Sequence, residues 1–222
     1  MRIRSDGEQT RGRILEAACA VFGEKGYHKA TFAEMGRRGD FAPALISFHF
    51  RSKDDLYRAV WLSLEEQIMA RCPVDGGLGD DAPPEERLRS HVRAALKRSC
   101  DAKLASFHQI HMQERVNPTG LLDEELHKLH QANQCHMRTL VGDLLGSGAT
   151  SVDIDLCEMS IVNQFSILRP PGSGQTEPRL PPNIRRFSST DVKRLTEHII
   201  CFCLGGLRNV RQMIAERGTA SQ

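Results

Sequence analysis

The residues best suited to chemistry lie between Thr31 and Lys53, and the chemistry they suit is the binding of nucleic acid. The run reads Thr-Phe-Ala-Glu-Met-Gly-Arg-Arg-Gly-Asp-Phe-Ala-Pro-Ala-Leu-Ile-Ser-Phe-His-Phe-Arg-Ser-Lys. Thr31 and Glu34 form a T-x-x-E capping box, which starts a helix. Phe32 and Met35 give that helix one apolar face at i, i+3. Gly39-Asp40 breaks it, because Gly takes the φ > 0 conformations a turn needs. Pro43 suits the first turn of a second short helix, where its missing N–H costs nothing. Ile46 and Phe50 lie one turn apart and can pack inward, leaving Ser47 and His49 on other faces. Two short helices joined by a tight turn make a helix-turn-helix, and its second helix is the kind that enters a DNA major groove.

A second group of residues offers different chemistry. His108 and His111 are spaced i, i+3, as are His127 and His130, with His136 further along. Glu124-x-x-His127 has the spacing of metal-ligating pairs in some helical bundles. Metal ligands, the polar lining of an effector pocket, and plain surface or core histidines are the three readings. No metal and no cofactor is assigned. Residues 103–116 mix aromatic, thioether and charged groups on one helix, and Phe107, His111, Met112, Arg115 and Gln164 are the candidate ligand-binding residues. The alternative for each is helix packing with an interior ion pair. Nothing in the chain supplies a nucleophile elbow, a phosphate loop or H-E-x-x-H, so no enzyme is expected.

The elements that must position these groups are helices. Ile14, Leu15, Ala18, Val21 and Phe22 mark a first helix from about Thr10 to Lys25, with Gly26 as its C′ residue. Ser52 caps a fourth helix with Asp55 at the third position, and Leu56, Val60, Leu64 and Ile68 carry its buried stripe to about Cys72. Pro73 to Pro84 reads as a linker or mobile loop. Helices follow from Pro84 to about Cys100, Lys103 to Val116, Thr119 to Gly146, Val152 to Leu168, and Ser189 to Arg217. Arg169 to Phe187 is Pro-rich and expected to be irregular. The fold is all-α: an N-terminal three-helix head (1–53), a connecting helix (54–72) and a larger helical body (73–222) for effector binding and dimerisation.

Composition agrees. Of 222 residues 40% are hydrophobic and only 5% aromatic, which fits helices built on Leu, Ile and Ala. No run of about 18 apolar residues exists, so no membrane span is expected, and the charged N-terminus lacks a signal-peptide core. Seven irregularly spaced cysteines suit free thiols in a reducing cytoplasm. Residues 1–53 carry ten Lys/Arg against six Asp/Glu, whereas the remainder carries twenty against twenty-two. The positive excess therefore lies on the helix-turn-helix segment, where phosphate binding would require it.

The first 60 or so residues resemble the TetR family of transcriptional repressors. The resemblance rests on Thr10–Tyr27, on the string from Thr31 to Lys53, and on the helix opening Ser52-Lys-Asp-Asp-Leu-Tyr-Arg-Ala-Val60. It implies phosphate contacts at Thr31, His49 and Lys53. Asp40 stands where the family usually has the turn Gly, and Gly39 where it has Ala, so either Gly39 takes over the turn or Asp40 tolerates the left-handed conformation. Ser47 replaces the first of two usual aromatics. The base-facing candidates are then Pro43, Ala44, Leu45 and Ser47, a group with little hydrogen-bonding capacity, and Ala42 and Phe48 complete the DNA-binding set. Phe48 can touch a sugar or thymine methyl, or pack. Arg37 and Arg38 can reach phosphates, or form a solvated face.

Residues 103–119 are similar to the body of the CerR-like branch of that family. The resemblance implies a homodimer through the last two helices, here with Ile199, Ile200, Phe202, Leu204 and Leu207 at the interface, since the last helix is apolar nearly all round. It further implies a repressor on a pseudo-palindromic double-stranded DNA operator, released by a small organic effector. A metal-dependent helical enzyme or sensor, and a regulator controlled by a protein partner, are the alternatives.

Overall fold

A computed structural model describes residues 2–101, 104–166 and 191–220. Among them are nine helices and no strand: α1 (Arg2–Lys29), α2 (Phe32–Gly39), α3 (Pro43–His49), α4 (Lys53–Arg71), α5 (Pro84–Cys100), α6 (Ala105–Val116), α7 (Asp123–Leu145), α8 (Ser151–Ser166) and α9 (Val192–Ala220). The protein is all-α. The irregular segment expected at 169–187 lies outside the described residues.

The described residues divide into two compact units. The first holds 2–70 and 104–126. The second holds 71–101, 127–166 and 191–220.

In the first unit, Ile14, Leu15, Ala18, Val21 and Phe22 of α1 are buried, as their spacing dictates. Gly26 then breaks the helical path with φ +78°, a value that L side chains avoid. On α4 the stripe Leu56, Val60, Leu64 and Ile68 is buried, and so are Tyr57 and Trp61. Ser52 caps α4 as expected, its Oγ accepting the Asp55 N–H at 3.0 Å. Helix α6 packs against α1, and Gln113 Nε2 donates to the Gly23 carbonyl at 2.8 Å. After α6 the chain turns at Gly120 (φ +74°). Thr119 gives its N–H and hydroxyl to Glu114, at 3.0 and 2.9 Å. Helix α7 therefore starts at Asp123, four residues later than the sequence suggests, with Asp123, Glu124 and Glu125 in the first turn where the helix dipole favours acids.

The second unit is built around one core. Leu88, Val92 and Leu96 of α5 meet Met137, Leu140, Val141 and Leu145 of α7, Cys157 and Ile161 of α8, and Ile199, Ile200, Leu204 and Leu207 of α9. Burying each such side chain contributes about 1.5–3 kcal/mol against leaving it in water. Arg87 is buried in the same unit and pairs with Asp80 at 2.7 Å and Asp143 at 2.8 Å. The segment before α5, read from sequence as a linker or mobile loop, is fastened to it. Ser90 donates to Gly76 O (3.0 Å), Arg98 to Cys72 O (2.9 Å), and His91 Nδ1 lies 2.8 Å from Val74 O. Polar side chains of α5 thus satisfy carbonyls that a free loop would leave to water.

Candidate nucleic-acid interface

The helix-turn-helix is held from both ends of α2. At the start, Thr31 Oγ1 accepts the Glu34 N–H at 3.3 Å, and the hydroxyl donates to Glu34 Oε2 at 3.1 Å. Lys25 pairs with the same carboxylate, and that hydrogen bond is the main reason the Glu34 carboxyl lies below its ordinary pKa. At the end, Asp40 adopts the left-handed conformation (φ 53°, ψ 57°) and gives its N–H to Gly36 O. The turn therefore belongs to Asp40. Gly39 is crowded for a different reason: the Phe41 ring lies over it, and a Cβ there would sit 2.1 Å from that ring, which would have to move. Arg13 of α1 donates to the Gly39 carbonyl at 2.9 Å, an α2 C-terminal cap that no local pattern announces.

Helix α3 is thereby fixed in rotation. Ile46 and Phe50 are buried, as expected, while Ala42, Pro43, Ala44, Ser47 and Phe48 are exposed and Leu45 and His49 are half-buried. Phe48 is 83% exposed, and its ring stands edge-on to His49 at 5.3 Å.

The cations around α3 differ in their commitments. Arg38 is engaged by Glu24 at 2.6 Å, whereas Arg37 reaches Glu34 only at 3.8 Å and is largely exposed. Lys53 places its ammonium 4.6 Å above the Tyr27 ring and donates to His28 O at 3.4 Å. Partial burial pulls its pKa below the ordinary lysine value. Two residues to which the sequence assigns no role support this edge. Arg11 lies over the Phe50 ring at 5.2 Å, and Tyr27 donates to Asp54. That bond, with burial second, pushes the Tyr27 hydroxyl up to about 12. Cation–ring contacts of this kind have no sequence pattern.

Residues 14–60 match the bacterial regulatory proteins of the tetR family. Residues 84–207, more than half the chain, match the C-terminal domain of the HTH-type transcriptional dual regulator CecR. The chain belongs to the TetR family. This TetR-family regulator is 33% identical to the HTH-type transcriptional regulator UidR of Escherichia coli K12 over 76 residues, which is 33% of this chain and 39% of UidR. The chain thus spans about two fifths of the length of the curated relatives it matches at that identity. It is 23% identical over 176 residues, 74% of this chain, to the probable acrEF/envCD operon repressor of Escherichia coli K12, of which 76% is covered. A TetR-like transcriptional regulator from Rhodococcus sp. RHA1 shares the fold with a TM-score of 0.55 at 15% identity, over 96% of this chain and 97% of that one.

The five ligand-binding candidates of this TetR-family regulator are divided. Phe107 is buried and stacks on Trp61 at 4.8 Å, and His111 lies 6.1 Å from the same indole. Met112 is half-buried and Arg115 is exposed. The acidic neighbour Glu114, not Arg115, is the buried charged group of α6. Gln164 belongs to the second unit and donates to Cys203 Sγ at 3.3 Å. Among the described residues no group of three His, Cys, Asp or Glu side chains is arranged to hold a metal, and His136 stacks on His91 at 5.3 Å.

The interface candidates on α9 differ in exposure. Ile199, Ile200, Leu204 and Leu207 are buried within their own unit, and only Phe202 is exposed, at 64%. Further exposed large apolar residues of this unit lie on α8, at Val152, Leu156 and Met159, spaced i, i+4, i+7, and at Val162, and on α9 at Met213. Phe202, Gly206, Asn209 and Met213 follow the same period on α9, and a Cβ on Gly206 would meet open space.

Proposed function

We propose that this chain is a homodimeric transcriptional repressor, not an enzyme, that occupies a pseudo-palindromic operator in the cytoplasm and leaves it when a small organic effector binds. The observation carrying the DNA-binding part is the division of α3. One side is buried through Ile46 and Phe50, the other presents Ala42, Pro43, Ala44, Ser47 and Phe48, and Arg37 and Lys53 supply phosphate-binding charge beside it. Similarity to a protein named as an operon repressor supports the sign of regulation. The exposed stripes of α8 and α9 support a two-fold dimer, which would set two heads in successive major grooves with centres about 34–36 Å apart.

Support for an effector comes from Trp61. Its indole N–H is buried without an acceptor among the described residues, beside Phe107 and His111. An aromatic site with one unsatisfied donor suits a mostly apolar ligand bearing one acceptor. Binding would release DNA only if the ligand prefers the conformation in which the heads no longer fit.

Selection of bound duplexes from a random DNA pool tests the function directly. Enrichment of a two-fold symmetric sequence is the expected result. Failure to enrich any duplex at low salt would sink the proposed function.

A further inference from the structure

We propose that α3 reads its operator through thymine methyl groups, with Phe48 as the principal contact, and not through hydrogen bonds to base edges. This rests on the first unit being a duplex-DNA head, as proposed above.

The side chains of α3 are Pro43, Ala44, Leu45, Ile46, Ser47, Phe48 and His49. None is Arg, Lys, Asn, Gln, Asp or Glu, the types that pair bidentately or selectively with guanine, adenine or cytosine. Of those exposed, Ser47 alone carries a hydrogen-bonding group, and a single hydroxyl serves donors and acceptors alike. The rest of the exposed side is apolar: Ala42 at the N-cap, Pro43, Ala44 and Phe48. Pairs 43/47 and 44/48 are each one turn apart, so these residues form one surface.

The rotation of α3 cannot change to hide that surface. Ile46 is fully buried, Phe50 nearly so, and the Asp40 turn with its Arg13 contact fixes the helix's entry. Phe48 consequently remains 83% exposed, the most exposed large apolar side chain among the described residues. The edge-on contact with His49 restricts where its ring points. In the major groove the base edges offer one apolar group, the C5 methyl of thymine. Positive charge beside this surface, on Arg37 and on the exposed Arg51, is complementary to the phosphates that flank such a groove. An apolar reading surface framed by cations thus selects thymines and is indifferent to most donor–acceptor changes.

The experiment uses the full chain and a duplex enriched from a random pool. Each thymine of one half-site is replaced in turn by uracil, which removes only the methyl, and affinity is read by fluorescence anisotropy at fixed salt. At one or more positions uracil should weaken binding about three- to fivefold, the scale of one buried carbon. At such a position, replacing T·A by C·G should cost more, and 5-methylcytosine should recover part of that loss. Phe48→Ala should erase the thymine–uracil difference at one position. Its circular dichroism should match the wild type, because the side chain is exposed. Equal binding of uracil at every position would overturn the proposal, as would full discrimination retained at every position by Phe48→Ala. A pool that enriches no duplex is a separate result, and it removes the DNA-binding function itself.

Discussion

Tyr57 on α4 donates its phenolic hydrogen to Glu114 on α6, 57 residues later, at 2.7 Å and out of contact with water. Glu114 also receives the backbone N–H and the hydroxyl of Thr119, so one carboxyl collects three donors and joins α4, α6 and the turn after it. Tyr57 in turn packs against Phe22 at 4.8 Å and Tyr27 at 5.1 Å. Burial first, and then the bond to Glu114, holds the Tyr57 hydroxyl well above its ordinary pKa.

Loss of that hydroxyl should be felt by the first unit as a whole. A buried hydrogen bond to an acidic group contributes roughly 1.5–3 kcal/mol, so Tyr57→Phe should lower stability by about that much. Trp61 is the chain's one tryptophan and lies in this unit, so its fluorescence in a urea titration reports the transition. An unchanged midpoint would mean that the bond is not made in solution.

Little of this linkage was legible in the sequence, whereas the helix-turn-helix was. Thr31, Glu34, Pro43, Ile46 and Phe50 act over three or four residues, and capping and periodicity are rules of that range. The Tyr57–Glu114 and Trp61–Phe107 contacts join residues far apart in the chain, and no local pattern encodes them. Helix α9 failed in another way. Its all-round apolarity suggested burial on two sides, whereas the chain itself buries one side, and period alone cannot say which. Ile199, Ile200, Leu204 and Leu207 went to the internal core, leaving Phe202 and Met213 outside.

That division makes substitutions on α8 and α9 separable. Leu156→Glu or Phe202→Glu should yield a folded monomer, because exposed positions usually shift stability by no more than about 0.5 kcal/mol. Ile200→Glu should instead unfold the second unit, since it buries an unpaired charge. Light scattering gives the mass, and circular dichroism gives the fold. A monomeric wild type, or a Leu156→Glu protein that stays dimeric, would remove α8 from the interface.

The second unit should also weaken in mild acid. Burial, then Arg98, then His136 lower the His91 pKa from 6.5 to about 4, against the opposing effects of the Val74 carbonyl and Asp75. Between those values the unfolded chain binds a proton that the folded one refuses, so stability falls as pH falls through that window. His136 is displaced in the same direction by burial and then Arg87. Melting curves at pH 7 and pH 5 should show a larger loss for the wild type than for His91→Gln. Parallel losses would place the acid sensitivity elsewhere.

Lys53 tests how the head holds phosphate. Its ammonium lies over the Tyr27 ring and donates to His28 O, so the side chain is steered along the protein surface before any DNA arrives. If it neutralises one phosphate, Lys53→Ala should weaken binding to all sequences alike and reduce the slope of log affinity against log salt by about one. The same change removes a cation–ring contact, which contributes about 0.5–1 kcal/mol at an exposed site, so some stability should be lost as well. The two effects separate because the salt slope is insensitive to the fraction folded, provided both proteins are measured well below their melting points. A loss confined to particular bases would make Lys53 a reader of sequence. An unchanged slope with lowered stability would make it only a support for Tyr27.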